Sequence, residues 1–272
     1  MRDPSSVKAM LARIRAAGPD QLHVIADFDR TLTKATIDGK KVNTAFQCIR
    51  DGGYMPEEYT RRGNALYEHY YPIEIDSTLS LEVKKGEMQA WWEQFLSLCV
   101  EFKLTRRVLD DIVKEKKVML RERTSEVFSL LRETPFLIFS AGLGNVITGI
   151  LDEEKLMHEN VHVISNFYTF DTHGRVTGFE NQIIHTYNKN EIAIKHTPYY
   201  EEVAHRENVI LIGDSLGDAC MAGGMQHKDV LKVGILYEDR KKLPAYEEAF
   251  DIVLMGDDDL GSFLDILQDA GL

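Results

Sequence analysis

The sequence predicts an α/β fold: a doubly wound parallel-sheet core of Rossmann-like form with an inserted helical domain. Three observations carry this. Short apolar runs recur along the chain: "LHVIA" before Asp27, "PFLIFS" ending at Ser140, "VHVISNF", and "NVILIGD" ending at Asp214. Runs of this length and continuity read as strands buried on both faces, as in a parallel sheet. Helical patterns such as "TSEVFSLLRE" and "NEIAIKHTPYYEEVAH" separate them, and this alternation is that of a doubly wound core. Finally, far more chain lies between the first two strands than a direct crossover needs.

The elements follow in order. The stretch "MRDPSSVKAMLARIRAAGPD" reads as a short amphipathic helix that starts near Ser5 or Ser6 and is stopped by Gly18-Pro19. The run into Asp27 is the first strand. Residues 36–124 are rich in aromatics and helix formers ("EEYTRRGNALYEHYYPIEID", "VKKGEMQAWWEQFLSLCVEF", "TRRVLDDIVKEKKVML") and read as a helical cap. Residues 1–35 and 125–272 then form the α/β core. Within it, "NFYTFDTHGRVTGFENQII" reads as a hairpin turning at "DTHG".

With 272 residues, 44% hydrophobic and 28% charged, the chain has the composition of an ordinary globular protein. Its net charge of -12 and lack of a basic stripe argue against nucleic-acid polymers as partners. Cys48, Cys99 and Cys220 lack metal or redox spacing and fit a reducing compartment. No signal peptide and no membrane span is read, so a cytoplasmic location is expected; oligomeric state is left open.

Polar groups follow the apolar runs: Asp27 and Asp29 after the first, Ser140 closing the second, Asp214 and Asp218 after the last. In an open α/β sheet, ligands bind beyond the carboxyl ends of the strands, so these groups are expected to converge in one crevice. Taken singly, Asp-x-Asp and Gly-Asp-Ser are also turn chemistry. Two carboxylates as close as Asp27 and Asp29 raise each other's pKa, and several in one crevice call for a hard divalent cation. Mg2+ favours carboxylate together with substrate phosphate.

The motifs "DFDRT", "LIFSAG" and "GDSLGD", in this order and each after a buried strand, resemble those of the haloacid dehalogenase superfamily of phosphatases. The strings "HYYPIEID", "VISNFYTFD", "IIHTYNKN" and "AFDIVL" are similar to the cytosolic pyrimidine/7-methylguanosine 5'-nucleotidase family. The resemblance implies hydrolysis of nucleoside 5'-monophosphates. Asp27 would be the nucleophile, forming an aspartyl-phosphate, and Asp29 the general acid and base. Mg2+ would lie between the Asp27 carboxylate, the Asp29 carbonyl and Asp214, with Asp218 and Thr31 in support. Ser140, the Ala141 amide and Lys189 would hold the phosphate. Glu74 would read the base and Trp92 would stack on it, an arrangement suited to a cationic base.

This sequence departs from the family pattern at Arg30, where Met is common, at Phe95, where a small residue is usual, at Arg123, where Gly is usual, and at Gly223, where Asp is usual. Two other motifs are decoys. "HENVH" at 158–162 spells a zinc-protease pattern but runs into a strand, and "GDSL" at 213–216 lacks the late Asp-x-x-His of the esterases it spells. A phosphatase of another small phosphomonoester, a nucleoside phosphotransferase and a non-catalytic nucleotide-binding module on the same fold remain as rivals.

Overall fold

The structure is a computed structural model, and it describes residues 3–76, 78–190, 194–195, 197–237, 239–256 and 259–272. Its centre is a six-stranded sheet, all pairs parallel, in the order β10-β9-β8-β1-β4-β5. The strands are β1 (Leu22–Ala26), β4 (Phe136–Leu143), β5 (Val161–Asn166), β8 (Asn208–Gly213), β9 (Asp229–Leu236) and β10 (Ile252–Met255). The four apolar runs of the sequence are β1, β4, β5 and β8. All five residues of β1 and all six of β8 are buried.

Alternation along β1 explains why both faces must be apolar. Val24 and Ala26 join one hydrophobic cluster and Ile25 joins the other, because successive side chains of a strand point to opposite faces. The first cluster takes in α1 (Pro4–Ala17), α6 (Thr124–Leu130), α7 (Gly144–Glu153) and α10 (Gly261–Asp269). The second takes in α8 (Pro198–Val203) and α9 (Leu243–Ala249). The helix α1 begins one residue earlier than Ser5: Asp3 caps it, its Oδ1 accepting from the amides of Ser5 and Ser6. Part of the expected helix over 190–205 lies outside the described residues; α8 is its described portion.

Between β1 and β4 run a two-residue-per-arm hairpin, β2 (Thr36–Ile37) with β3 (Lys40–Lys41), and then α2 (Ala45–Asp51), α3 (Glu57–Ile75), α4 (Leu81–Glu101) and α5 (Arg106–Lys114). The helices α3 and α4 pack antiparallel, as the Arg62–Glu101 ion pair at one end and the Tyr70–Trp91 ring stack at the other show. Their buried residues Tyr59, Phe95, Leu98 and Cys99 belong to the same cluster as Val24 and Ile138 of the sheet. Outgoing and returning chain meet side by side, with Lys34 N–H donating to Met119 and Arg121 N–H to Leu32. The second hairpin, β6 (Tyr168–Phe170) with β7 (Val176–Phe179), turns at Asp171–Gly174 where the sequence places it, and Gly174 stands at φ 73°.

Candidate active site

Asp27 extends β1 by one residue, its N–H donating to the Ile212 carbonyl on β8 at 3.0 Å. Phe28 then turns into the core, and its carbonyl accepts from the amides of Thr31, Leu32 and Thr33. Arg30 completes the turn in the left-handed region at φ 61°, its N–H held by Thr33 Oγ1 at 2.8 Å. From the returning chain, the buried Arg121 donates to the carbonyls of Arg30 (2.7 Å) and Thr31 (2.9 Å). Such clamping fixes the loop on which Asp27 and Asp29 stand.

The Asp27 carboxylate accepts from Thr31 Oγ1 at 3.0 Å and from Lys189 Nζ at 2.5 Å. Lys189 also donates to Asp218 at 2.7 Å, and Asp218 accepts from the amide and hydroxyl of Ser215 at 2.9 and 2.8 Å. Asp218 can fold back over the end of β8 because residue 213 is glycine: a Cβ there would lie 2.3 Å from the Asp218 Cβ. Ser140, buried at the end of β4, accepts from the Gly142 amide at 2.9 Å, and a Cβ on Gly142 would meet Asp29 Oδ2 at 2.9 Å. Ser140, Ala141, Asp27, Asp29, Asp214 and Asp218 thus lie at the carboxyl ends of three adjacent strands, and Lys189 reaches Asp27 and Asp218 from the segment that follows β7.

Sequence reasoning assigned no part to Ser165 and Asn166. Ser165 Oγ donates to the Gly142 carbonyl, and Asn166 donates to the carbonyls of Ala141 and Ile184 while accepting from the Ile184 amide. They tie the Ser140 loop to the segment leading to Lys189. The rule that found Ser140, a polar residue closing an apolar strand, would have found them too.

Burial, more than any neighbour, pushes the carboxyl of Asp27 up to about 6; Asp218 adds to the rise, and Lys189 and Thr31 oppose it. Burial and then Asp27 push Asp29 up to about 7. Burial with the charges of Asp27 and Asp218 holds Asp214 well above the carboxylate range. For Lys189, burial favours the neutral amine, but Asp218 and Asp27 outweigh it and the ammonium persists.

Asp27, Asp214 and Asp218 each offer an oxygen within 4.8 Å of the others, the one grouping able to hold a metal among the described residues. Lys189 supplies one positive charge against these three carboxylates, which leaves a deficit that a divalent cation balances. The donors are all oxygen, which suits a hard ion rather than zinc or copper. The decoy motifs resolve as expected. His162 lies on β5 and pairs with Glu202 at 2.9 Å, and Ser215 serves Asp218.

In the helical insert, Glu74 lies in the last turn of α3. Its Oε1 accepts from Thr186 Oγ1 at 2.8 Å, and burial raises its pKa while Thr186 and Lys84 oppose the rise. Trp92 is half-buried, edge-on to Phe46 (4.1 Å between centroids) and to Phe179 (6.1 Å). Its neighbour Trp91 stacks on Tyr70 at 5.7 Å. Phe95, 7% exposed, packs between Phe46 and Tyr59.

Comparison with known proteins agrees with this geometry. The family model described as pyrimidine 5'-nucleotidase (UMPH-1) matches residues 30–270. The 7-methylguanosine phosphate-specific 5'-nucleotidase A of Xenopus laevis is 36% identical over 272 residues, covering 98% of this chain and 94% of that protein. The Homo sapiens 7-methylguanosine phosphate-specific 5'-nucleotidase is 36% identical over 274 residues, covering 98% and 91%. Among solved structures, cytosolic 5'-nucleotidase IIIB bound to cytidine superimposes with a TM-score of 0.90 at 35% identity, over 99% of this chain and 92% of that one. A substrate-bound phosphoserine phosphatase shares the fold, with a TM-score of 0.55 at 18% identity over 90% of this chain and 97% of its own. With a match spanning nearly its whole length and relatives of its own size, the chain belongs to the pyrimidine 5'-nucleotidase (UMPH-1) family and is a phosphomonoester hydrolase.

Proposed function

We propose that the protein hydrolyses nucleoside 5'-monophosphates, with 7-methylguanosine and pyrimidine bases preferred, through an aspartyl-phosphate on Asp27 and with Mg2+ as cofactor. The observation that carries this reading is the buried Lys189, which bridges Asp27 and Asp218 beside Asp214. One cation holds the nucleophile and the acid cluster in register. The base preference draws on the relatives, which carry the name of 7-methylguanosine phosphate or bind cytidine, together with Glu74 and Trp92.

An Asp27 carboxylate oxygen attacks phosphorus as the bond to the ribose 5'-oxygen breaks, and Asp29 gives its proton to that oxygen. Asp29, now ionised, takes a proton from water as the water attacks the phosphoryl group; the Asp27–phosphorus bond breaks and phosphate leaves. Ser140 and the Ala141 amide hold phosphoryl oxygens, and Lys189 neutralises the charge that develops on them. Thr31 holds Asp27 Oδ2 and Lys189 holds Oδ1, so the two donors together fix the direction in which the carboxylate faces. Asp27 and Asp214, with Asp218 beside them, would hold Mg2+, which supplies charge neutralisation of nucleophile and phosphate.

In this reading residues 36–124 form a specificity cap over a core of residues 1–35 and 125–272, and the enzyme works as a cytoplasmic protein. No helix among the described residues is long and apolar enough to cross a membrane.

The test is phosphate release with and without Mg2+ from CMP, UMP, 7-methyl-GMP, GMP, AMP and phosphoserine, with Asp27→Asn as the blank. Metal-dependent turnover concentrated on CMP, UMP or 7-methyl-GMP is expected. Turnover of phosphoserine alone would keep the catalytic core and remove the base-reading cap. Phosphate appearing on an added nucleoside rather than in solution would make the enzyme chiefly a phosphotransferase.

A further inference from the structure

We infer that Thr186 is a positioning residue for base selection: its hydroxyl fixes Oε1 of Glu74, leaving Oε2 to accept from an N–H of the base. The inference deepens the proposed function and rests on its reading of Glu74.

Glu74 is held at both ends by two consecutive residues that lie 112 and 113 positions further along the chain. Its side chain accepts from Thr186 Oγ1 at 2.8 Å. Its carbonyl, one of those left without a partner at the end of α3, accepts from the Tyr187 hydroxyl and from Lys84 Nζ at 3.0 Å. Lys84 Nζ also donates to the Tyr187 oxygen at 3.2 Å and stands 5.1 Å over its ring. Backbone and carboxylate are thus fastened separately.

Thr186 is itself fixed. Asn188 staples the loop by accepting from the His185 amide at 2.7 Å and donating to the Ile183 carbonyl at 2.8 Å. The Thr186 methyl packs on Gly217, where a Cβ would come within 3.0 Å of it. A larger residue at 217 would crowd both the methyl and the carbonyl of Thr186.

A glutamate side chain has three rotatable bonds and two equivalent oxygens. Alone, it would present either oxygen over a range of directions. With one oxygen committed, the other points along one direction, and a base is selected by whether it places a donor there. Loss of the hydroxyl leaves Glu74 with an unpaired acceptor in a buried setting, so it turns toward another donor and reads the base less sharply.

The experiment compares kcat/KM for the preferred nucleotide with kcat/KM for ribose 5-phosphate, which carries no base. The Mg2+-loaded full chain is used as wild type, Thr186→Val, Thr186→Ser and Thr186→Val in a Glu74→Gln background. Thr186→Val is expected to lower the nucleotide-to-ribose-5-phosphate ratio about tenfold, Thr186→Ser to restore most of it, and Thr186→Val to change the ratio little once Glu74 is Gln. A parallel fall for both substrates, with the ratio kept, means that Thr186 only braces the fold and overturns the inference. So does a ratio that Thr186→Ser fails to restore while that variant melts like the wild type. A wild-type ratio near one removes base reading itself, and the inference falls with it; a high wild-type ratio preserved in Thr186→Val overturns the inference alone.

Discussion

Asp29 is the side chain on which the pH dependence turns. Burial and Asp27 push it up to about 7, while Arg30 and Lys189 pull it down. In the proposed mechanism Asp29 is the acid for the leaving oxygen and must be protonated, so kcat/KM is expected to fall as pH rises through that value. Removing Arg30's charge takes away one of the groups that favour the ionised form. Arg30→Met is therefore expected to move the alkaline limb of the pH profile to higher pH, measured between pH 5.5 and 9. A limb that stays in place would assign it to another group. Asp214 gives a second prediction. Its folded pKa is raised, so its contribution to stability is fully present below the ordinary carboxylate value and is lost as pH rises through the folded one. Asp214→Asn removes that loss. The metal-free variant should melt a few degrees above metal-free wild type at pH 7, show no turnover, and lose most of the stabilisation that Mg2+ gives the wild type. Melting curves in chelator and in Mg2+ decide it.

At the scale of elements, α6 starts from Arg123 at φ 66°, a left-handed conformation that costs a non-glycine residue roughly 1–2 kcal/mol. Its exposed ion pair with Glu126 is screened by solvent and returns little of that cost. Arg123→Gly, the residue common at this point in the family pattern, should leave the protein as stable or more stable by up to about 1 kcal/mol in urea denaturation. A larger loss would mean that the ion pair outweighs the backbone. The same backbone view shows what was legible in the sequence. Asp27, Ser140 and Asp214 could be read because each is a polar residue closing an apolar run, a local signal. The strands β9 and β10 were not named as elements from periodicity: Lys232 interrupts the first, and the second is four residues long at a sheet edge. Thr186 and Arg121 carried no local signal at all. Their partners, Glu74 and the Arg30–Thr31 carbonyls, lie about a hundred residues away and meet them only through the fold.

The whole molecule answers to acid through its buried histidines. Burial, then the charges of His227 and Arg206, hold His23 well below its ordinary pKa; burial, then Lys85, holds His185 down to about 4. Both stay neutral in the fold while the unfolded chain takes up protons near pH 6.5. The stability these two histidines contribute is therefore whole above about pH 6.5 and lost as pH falls from there toward the folded values. In Mg2+-saturated protein the urea midpoint should drop between pH 7 and 5, and His23→Gln should drop less. The place of β1 in the sheet has a consequence for how the chain is made. The strand that leads into Asp27 precedes the other five strands of the sheet along the chain yet stands in the middle, with Leu22 paired to Asn208. One of its edges stays open until most of the polypeptide has left the ribosome. Pairings of such long sequence separation close slowly, and an open apolar edge invites other chains. The enzyme is thus most exposed to aggregation during its own birth, and a chain cut short before β8 would keep that hazard for good.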